Sequence, residues 1–265
     1  MDAPHIRIDA VNKVFASDGR EINALKDIHL EIPRGQFTCL LGPSGCGKST
    51  LLNAVAGFAP PSSGAITVDG APVAAPGPER GMVFQEYALF PWMTVAQNIG
   101  FGLEIRGMPK AQVAETVERL LTMLSLMDFR QRYPKELSGG MRQRVAIARV
   151  LALDSPIMLM DEPFGALDAL TRRNLQDELL RIWAELGKTI LFVTHSIEEA
   201  IYLADRIVVM TYRPGTVKRD LLVGLPRMRD PAAPEFNALK RELGMLVMEE
   251  QQRHHHDELK MAAVD

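Results

Sequence analysis

The feature that most constrains this 265-residue chain is a glycine-rich stretch between an apolar segment and a helical one. Residues 42–50 read GPSGCGKST and match the pattern G-x-x-x-x-G-K-[ST]. The segment before them, FTCLL, is almost wholly apolar and predicts a strand buried on both faces, as in a parallel sheet. The segment after them, KSTLLNAVAG, has helical spacing and ends on a glycine. A strand, a glycine loop and a helix in that order predict a phosphate-binding loop in an α/β protein.

The residue types in this loop suit a nucleotide polyphosphate with Mg²⁺. Glycines let successive backbone N–H groups point inward as an anion nest, and the following helix adds the positive end of its dipole. Lys48 would neutralise β- and γ-phosphate charge, and the Ser49 hydroxyl would bind Mg²⁺. The alternative is a chance glycine turn before a helix, which the flanking elements disfavour. The predicted phosphate-contacting residues are Gly42, Pro43, Ser44, Gly45, Cys46, Gly47, Lys48, Ser49 and Thr50.

A second glycine-edged helix start lies in residues 137–151, LSGGMRQRVAIARVL. Ser138 can cap the helix, and Gly139 and Gly140 would expose backbone N–H groups to a second anion. At this point the chain resembles the ATP-binding-cassette (ABC) family, whose signature is LSGGQ followed by a similar helix. Met141 stands where the family usually has glutamine. A capped helix with no ligand is the alternative interpretation.

An apolar strand, IMLMDEP, ends in two carboxylates. Asp161 is placed to hold the Mg²⁺ shell, directly or through water, and Glu162 to polarise the attacking water as general base. Such a pair alone is more often a helix cap, but the phosphate loop and the signature favour the catalytic interpretation.

Further motifs extend the resemblance over residues 6–210. FGALD resembles the family D-loop and ends on Asp168, with Gly165 in place of the usual serine. The resemblance implies that His195 contacts the γ-phosphate and helps to hold the catalytic water. It also implies that Gln85, at the hinge of the helical insertion, reaches Mg²⁺ and water. Phe15 stands where the family has an aromatic that stacks on adenine, although an aromatic there is as often a core residue.

The expected fold is α/β: the P-loop NTPase core of an ABC ATPase, with a mostly parallel sheet, an N-terminal antiparallel β subdomain and a helical signature subdomain. Segments in which apolar and polar residues alternate precede the phosphate loop and predict half-buried strands. Helical periodicity dominates the middle of the chain, and apolar segments typical of parallel strands follow it. The expected domains are an ABC ATPase domain over residues 1–235, with the helical subdomain inserted at about 87–154, and a C-terminal helix and tail over 236–265. Within the tail, three consecutive histidines begin at His254 and are expected to be solvated.

Composition and charge limit the kinds of partner and the cellular location that are expected for the chain. The net charge is −3 and the pI is near 6.1, which disfavours a nucleic-acid partner. Cys39 and Cys46 are expected to be free thiols in a reducing cytosol. The sequence shows no signal peptide and no apolar run of the ~18–20 residues that span a bilayer. The expected location is therefore peripheral, on the cytoplasmic face of the inner membrane, where a partner holds the chain.

The resemblance also implies an assembly. In the family, ATP lies between the phosphate loop of one subunit and the signature of a second copy, so a homodimer is expected. Integral membrane permease subunits and, indirectly, a solute-binding protein are the other implied partners. The loop ALFPW, residues 88–92, would receive a short helix of a membrane subunit, or else Phe90 and Trp92 pack into the insertion's own core.

A finer resemblance favours the importer ATPases for nitrate, sulfonate and taurine. It rests on LFPWMTVAQNI, FGALDALTRRNLQDELLRIW, THSIEEAIYLADRIVVM and LPRMRDP. One alternative is a soluble ABC-type ATPase that acts on nucleic acid or ribosomes. A P-loop GTPase is disfavoured because no NKxD guanine-reading motif is found.

Overall fold

The structure is a computed structural model that describes residues 3–17 and 20–262. Its strands are β1 (Ile6–Ser17), β2 (Arg20–Ile32), β3 (Phe37–Leu41), β4 (Ser63–Val68), β5 (Ala71–Pro72), β6 (Arg80–Val83), β7 (Ile157–Asp161), β8 (Thr189–Thr194), β9 (Arg206–Met210) and β10 (Val217–Leu222). Its α-helices are α1 (Lys48–Ala56), α2 (Val95–Ile105), α3 (Lys110–Met123), α4 (Gly139–Ala152), α5 (Ala169–Leu186), α6 (Ile197–Leu203) and α7 (Pro234–Ala262).

The chain divides into two units, and the first comprises Met1–Pro76 with Thr189–Asp265. An antiparallel sheet in this unit has the strand order β2-β1-β4-β5, which confirms the predicted N-terminal antiparallel subdomain. A second set of strands runs in the order β10-β9-β3-β8, with β3 parallel to both β8 and β9. Every residue of β3 is buried, as its apolar sequence predicts.

The second unit is Gly77–Lys188, and it contains the parallel pair β6 and β7 together with helices α2 to α5. Helix α2 begins with a capping box in which the Thr94 side chain accepts from the Gln97 backbone and the Gln97 side chain accepts from Thr94. Helix α3 and the residue that follows it bury an apolar stripe. The buried residues of the stripe are Val113, Val117, Leu120, Leu121 and Leu124. The helical character predicted for the middle of the chain is thus confirmed.

Some elements differ from the sequence prediction. Strands β6 and β10 were not predicted, because the sequences RGMV and VKRDLL lack the apolar alternation of a typical strand. Helix α5 begins at Ala169, directly after the D-loop, because the Asp168 side chain caps it. Helix α7 runs from Pro234 to Ala262, so it occupies most of the segment 236–265 that was expected to hold a helix and a tail.

The expectation of a solvated histidine tail is wrong for His254. This residue lies inside α7, and its ring stacks on Tyr212 with the centroids 4.2 Å apart. The side chains of His255 and His256 lie outside the described residues. Within the described part of the chain, no helix is both long enough and apolar enough to cross a bilayer.

Candidate nucleotide-binding site

The phosphate loop connects β3 to α1 in the first unit, as predicted, and α1 begins at Lys48 itself. Gly47 caps the helix at φ 97°, a left-handed conformation that favours glycine. A β-carbon there would lie 2.7 Å from Leu25 Cδ2 and 2.8 Å from the Ala24 carbonyl oxygen. Both the backbone angle and the space therefore require glycine at the turn into the helix.

Lys48 points into the loop. Its side chain is buried, and Nζ donates to the Gly42 and Pro43 carbonyl oxygens, each at 2.8 Å. The Cys46 sulfur lies 3.8 Å from the same nitrogen. Burial raises the pKa of the Cys46 thiol, and the Lys48 charge opposes that rise. Cys39 and Cys46 are both free, as predicted, and both are buried.

His195 follows the strand beside the phosphate loop. Strands β3 and β8 are parallel, and Leu41 is the register partner of Thr194. The phosphate loop, which begins at Gly42, and His195 therefore each follow the carboxyl end of one of two adjacent parallel strands, at the same edge of the sheet. Ligands of open α/β sheets bind at such an edge.

Phe15 lies on β1 of the same unit and is 43% exposed, so the alternative that it is a core residue is wrong. Lys13 Nζ lies 5.1 Å from the centroid of its ring. An exposed aromatic face of this kind can stack on a nucleotide base.

Gln85 and the acidic pair lie at one end of the β6–β7 pair in the second unit. Val83 is the register partner of Met160 in these parallel strands. Gln85 lies two residues beyond Val83, and Glu162 lies two residues beyond Met160. Both residues therefore follow the carboxyl ends of these parallel strands, at one edge of the pair. Asp161 ends β7, and Glu162 has φ 42°, an uncommon angle for a residue other than glycine. Such left-handed backbone concentrates at functional sites.

The signature and the D-loop adjoin within the second unit. The Ser138 hydroxyl accepts a hydrogen bond from the Met141 backbone at 3.3 Å, which confirms the predicted cap of α4. A β-carbon on Gly139 would lie 3.1 Å from Leu167 Cδ2. Asp168 caps α5 by accepting from the Thr171 backbone at 3.0 Å, and this bond lowers the pKa of Asp168.

Hydrogen bonds that were not predicted from the sequence link the segment after Gln85 to the signature helix α4. Arg149 of α4 donates to the Ala88 carbonyl oxygen at 2.6 Å and to that of Tyr87 at 3.2 Å. Tyr87 and Ala88 both have left-handed backbone, at φ 61° and 48°. Arg142, two turns earlier on α4, places its guanidinium 5.4 Å from the Tyr87 ring centroid. Arg142 and Arg149 of RQRVAIAR were the signal for this contact, since a spacing of seven residues sets them on one side of a helix.

The two aromatic residues of the ALFPW loop differ in their packing. The sequence left open whether they pack into the core of the insertion or face a partner. Phe90 packs against Phe101, with ring centroids 4.5 Å apart, and lies under Arg149. Trp92 contacts Phe90 at 5.8 Å between centroids, yet its side chain remains 70% exposed. Phe90 therefore belongs to the packing of the second unit, whereas Trp92 presents an apolar surface to solvent.

The glycine loop at the strand–helix junction, the capped signature helix and the acidic strand end define a P-loop nucleotide-binding protein. The profile of the ABC transporter family matches residues 25–165, and the chain belongs to that family. It is an ATP-binding ABC ATPase. The α/β fold with an antiparallel subdomain and a helical subdomain is that of ABC cassettes, as predicted.

Named relatives and solved structures agree with this assignment. A nitrate import ATP-binding protein of Synechocystis sp. is 47% identical, over 90% of this chain and 90% of its own length. A taurine import ATP-binding protein of Roseobacter denitrificans is 47% identical, over 85% of this chain and 87% of its own length. An ATP-binding cassette solved as a post-hydrolysis dimer with ADP and phosphate is 32% identical with a TM-score of 0.74, covering 83% of this chain and 100% of that one. These similarities do not favour an ATPase of nucleic acids or ribosomes.

Proposed function

We propose that this chain is the ATP-hydrolysing subunit of an importer for a small anion or zwitterion, of the kind represented by nitrate, sulfonates and taurine. The observation that carries the importer assignment is the similarity over most of its length to nitrate and taurine import ATP-binding proteins. The phosphate loop, the signature and the acidic strand end supply the chemistry that such a subunit needs. The cargo itself would be bound by the membrane subunits and an external solute-binding protein.

The site residues are assigned to ATP as follows. The phosphate loop and Lys48 bind the polyphosphate, Phe15 stacks on the adenine, and Glu162 accepts a proton from the attacking water. His195 and Gln85 orient that water. Phe15 lies on the antiparallel strand β1, whereas the other residues follow the carboxyl ends of a parallel strand pair in their own unit.

The donor chemistry fits Mg²⁺ as the accompanying ion. The proposed ligands are the Ser49 hydroxyl, the Gln85 amide oxygen and the Asp161 carboxylate, all of them oxygen donors of the kind that Mg²⁺ prefers. Among the described residues, no group of three or more His, Cys, Asp or Glu side chains forms a metal cage. This fits an ion whose remaining ligands are nucleotide phosphates and water, and which supplies charge neutralisation at the phosphates.

The working assembly is proposed to be a head-to-tail homodimer. The cassette solved with ADP and phosphate is a dimer, and a two-fold pair lets each phosphate loop face the signature of the other copy. Ser138, Gly139, Gly140 and Asp168 would then complete the site of the second chain. ATP closes the pair because its γ-phosphate bridges both anion sites, and hydrolysis removes that bridge.

The membrane partner is proposed to dock at the surface around Trp92. This indole is exposed on a loop whose neighbouring aromatic, Phe90, is fixed by packing. An exposed aromatic on a supported loop is typical of an interaction site. Through this contact, permease subunits would hold the chain at the cytoplasmic face of the inner membrane.

Purification from solubilised membranes, followed by transport in proteoliposomes, tests the proposal. We expect a multispanning permease to copurify and ATP to drive uptake of nitrate or of a sulfonate such as taurine. Trp92→Ala should release the permease while leaving nucleotide binding unchanged, and Phe58→Ala, another exposed aromatic, is the matched control. Copurification with ribosomes, or a permease that transports neither class of solute, would refute the importer assignment.

A further inference from the structure

A cleft lies on the first unit, between β2, the turn that joins β9 to β10, and α7. Its volume is about 620 Å³, within the ~300–1,000 Å³ typical of small-molecule sites. Lys26 and His29 line it from β2, Tyr212 and Arg213 from the turn, and Arg253 from α7. None of these side chains was assigned to the nucleotide.

The side chains that line the cleft carry a net positive charge. Lys26, Arg213 and Arg253 contribute cations, whereas Asp27 is the carboxylate among the described lining residues. The Asp27 carboxylate lies 3.0 Å from His29 Nε2, and the Asp9 carboxylate, next to the cleft, lies 3.2 Å from His29 Nδ1. Across the described residues, the Lys26 ammonium makes no hydrogen bond or ion pair. An uncommitted cation beside two guanidinium groups favours an anionic ligand.

A buried carboxylate nearby, Glu250, offsets only part of this charge, because it pairs with Lys218 as well as with Arg253. Glu250 of α7 is fully buried, and its Oε1 lies 2.6 Å from Lys218 Nζ and 3.2 Å from an Arg253 nitrogen. Its other oxygen accepts from the Tyr212 backbone at 2.9 Å. Lys218 and the Tyr212 backbone thus donate to both oxygens of Glu250. Because Arg253 uses one nitrogen for this carboxylate, its other N–H groups can face the cleft.

The turn that lines the cleft also contacts the phosphate loop. Arg213 Nε donates to the Gly45 carbonyl oxygen at 3.2 Å. The glycine after it in the turn, Gly215, exchanges backbone hydrogen bonds with the strand segment that supports Gly47. Since the Glu250 carboxylate anchors the other side of the turn, Arg213 is held between the cleft and the nucleotide loop.

We propose that this cleft binds a small free oxyanion with two or more negative charges, of the phosphate or sulfate type. Guanidinium groups match such oxyanions because their parallel N–H groups bond two oxygens at once. The bound anion weakens nucleotide binding, because its charge lies next to Arg213 and so opposes the attraction of the phosphate loop for nucleotide phosphates. By linkage, nucleotide weakens anion binding by the same factor. This site is separate from the proposed transport function.

Equilibrium dialysis with labelled sulfate tests the site. The full chain is saturated with Mg²⁺ and a non-hydrolysable ATP analogue, so that the phosphate loop is filled, and chloride holds the ionic strength constant. We expect one sulfate per chain. Lys26→Ala and Arg253→Ala should each weaken its binding about fivefold, the effect of losing one solvent-screened charge partner. Lys110→Ala and Arg241→Ala remove exposed charges elsewhere and should leave it unchanged. Sulfate binding no stronger than that of chloride, or binding indifferent to Lys26 and Arg253, would overturn the proposal.

The link to nucleotide is measured separately. Sulfate should lower the affinity of the wild-type chain for labelled ADP, and this effect should shrink in Lys26→Ala and Arg253→Ala, leaving only direct competition at the phosphate loop. An equal sulfate effect in the wild type and in both variants would overturn the link. A lipid headgroup can also present an anionic phosphate group, so flotation with phosphatidylglycerol vesicles is the comparison. Vesicle binding that needs Lys26 and Arg253, without sulfate binding, would overturn the assignment to a free anion.

Discussion

The backbone of Gly140 lies so close to the methyl group of Thr171 that a β-carbon on the glycine would come within 2.6 Å of Thr171 Cγ2. Gly140 is the second residue of α4, and Thr171 is in the first turn of α5. The glycine thus has a packing role inside one chain, besides the proposed role toward a nucleotide held by a second chain. The two roles can be separated experimentally.

The substitution Gly140→Ala should destabilise the chain by about 1–3 kcal/mol, the usual cost of overpacking. Adding Thr171→Ser removes the clashing methyl group but keeps the hydroxyl, so the double variant should recover most of that loss in urea unfolding. ATP turnover should stay low in the double variant, because the alanine still obstructs the approach of the nucleotide. Recovery of turnover along with stability would show that Gly140 serves packing alone.

Lys48→Ala should lower the affinity for ATP by on the order of 100-fold, since two or more charge-assisted hydrogen bonds to phosphate are lost. Titration with a fluorescent ATP analogue measures the change, and Lys110→Ala, on the exposed start of α3, is the control for lost charge. Because Lys48 also bonds the Gly42 and Pro43 carbonyl oxygens, circular dichroism should accompany the titration. A folded Lys48→Ala chain with unchanged affinity would refute the phosphate role.

The phosphate loop and its flanking elements could be predicted from sequence because each local signal agrees with the fold. FTCLL is almost wholly apolar, the left-handed turn at residue 47 favours glycine, and Gly57 ends α1 at φ 86°. Strand β6 could not be predicted, because it begins with Arg80 and Gly81. Both residues are buried in the second unit, where Arg80 pairs with Glu79. Their burial depends on tertiary packing, which the local sequence does not show.

The segment LPRMRDP supported a functional resemblance, but the structure gives its second arginine a structural task. Arg229 is buried, and its guanidinium donates to the carbonyl oxygens of Leu225, Ile201 and Ala204 at 3.0, 2.5 and 2.7 Å. It therefore caps the end of α6. Burial, followed by the nearby Arg227 charge, lowers the pKa of Arg229 to about 10. Hydropathy could not reveal this, since a buried arginine in a loop has no periodic signal.

Arg229→Met should therefore lower the free energy of unfolding by about 3 kcal/mol, because several buried carbonyl groups lose a charged donor. Arg229→Lys should recover only part of that loss, since a single ammonium group cannot bond all the carbonyl oxygens that the planar guanidinium reaches. Arg241→Ala, an exposed arginine on α7, is the matched control. Equal urea midpoints for Arg229→Met and Arg241→Ala would contradict the capping role.

Buried His5 predicts a pH dependence of stability. Its Nδ1 lies 2.6 Å from Thr189 Oγ1, and its Nε2 lies 3.2 Å from an Arg34 nitrogen. Burial first, and then the Arg34 charge, lower the pKa of His5, while Asp69 opposes them. The unfolded chain therefore binds the proton more readily than the folded chain. The stabilisation is present above the unfolded pKa of about 6.5 and is lost as the pH falls below it.

We expect the free energy of unfolding to fall between pH 7 and pH 5 more steeply in the wild type than in His5→Gln. The difference in slope should be at most about 1.4 kcal/mol per pH unit, the limit for one proton. Urea unfolding at several pH values gives both slopes. Parallel curves for the two proteins would show that His5 does not titrate between these limits.

The central claim is that one ATP is held between the phosphate loop of one chain and the signature of another. Sedimentation velocity of Glu162→Gln measures this most directly, because removing the general base should leave ATP bound but uncut. The account predicts a dimer with Mg²⁺ and ATP, a monomer with ADP, and loss of the ATP-dependent dimer when Ser138→Arg is added. A chain that binds ATP tightly yet remains monomeric, even beside its membrane partners, would contradict it.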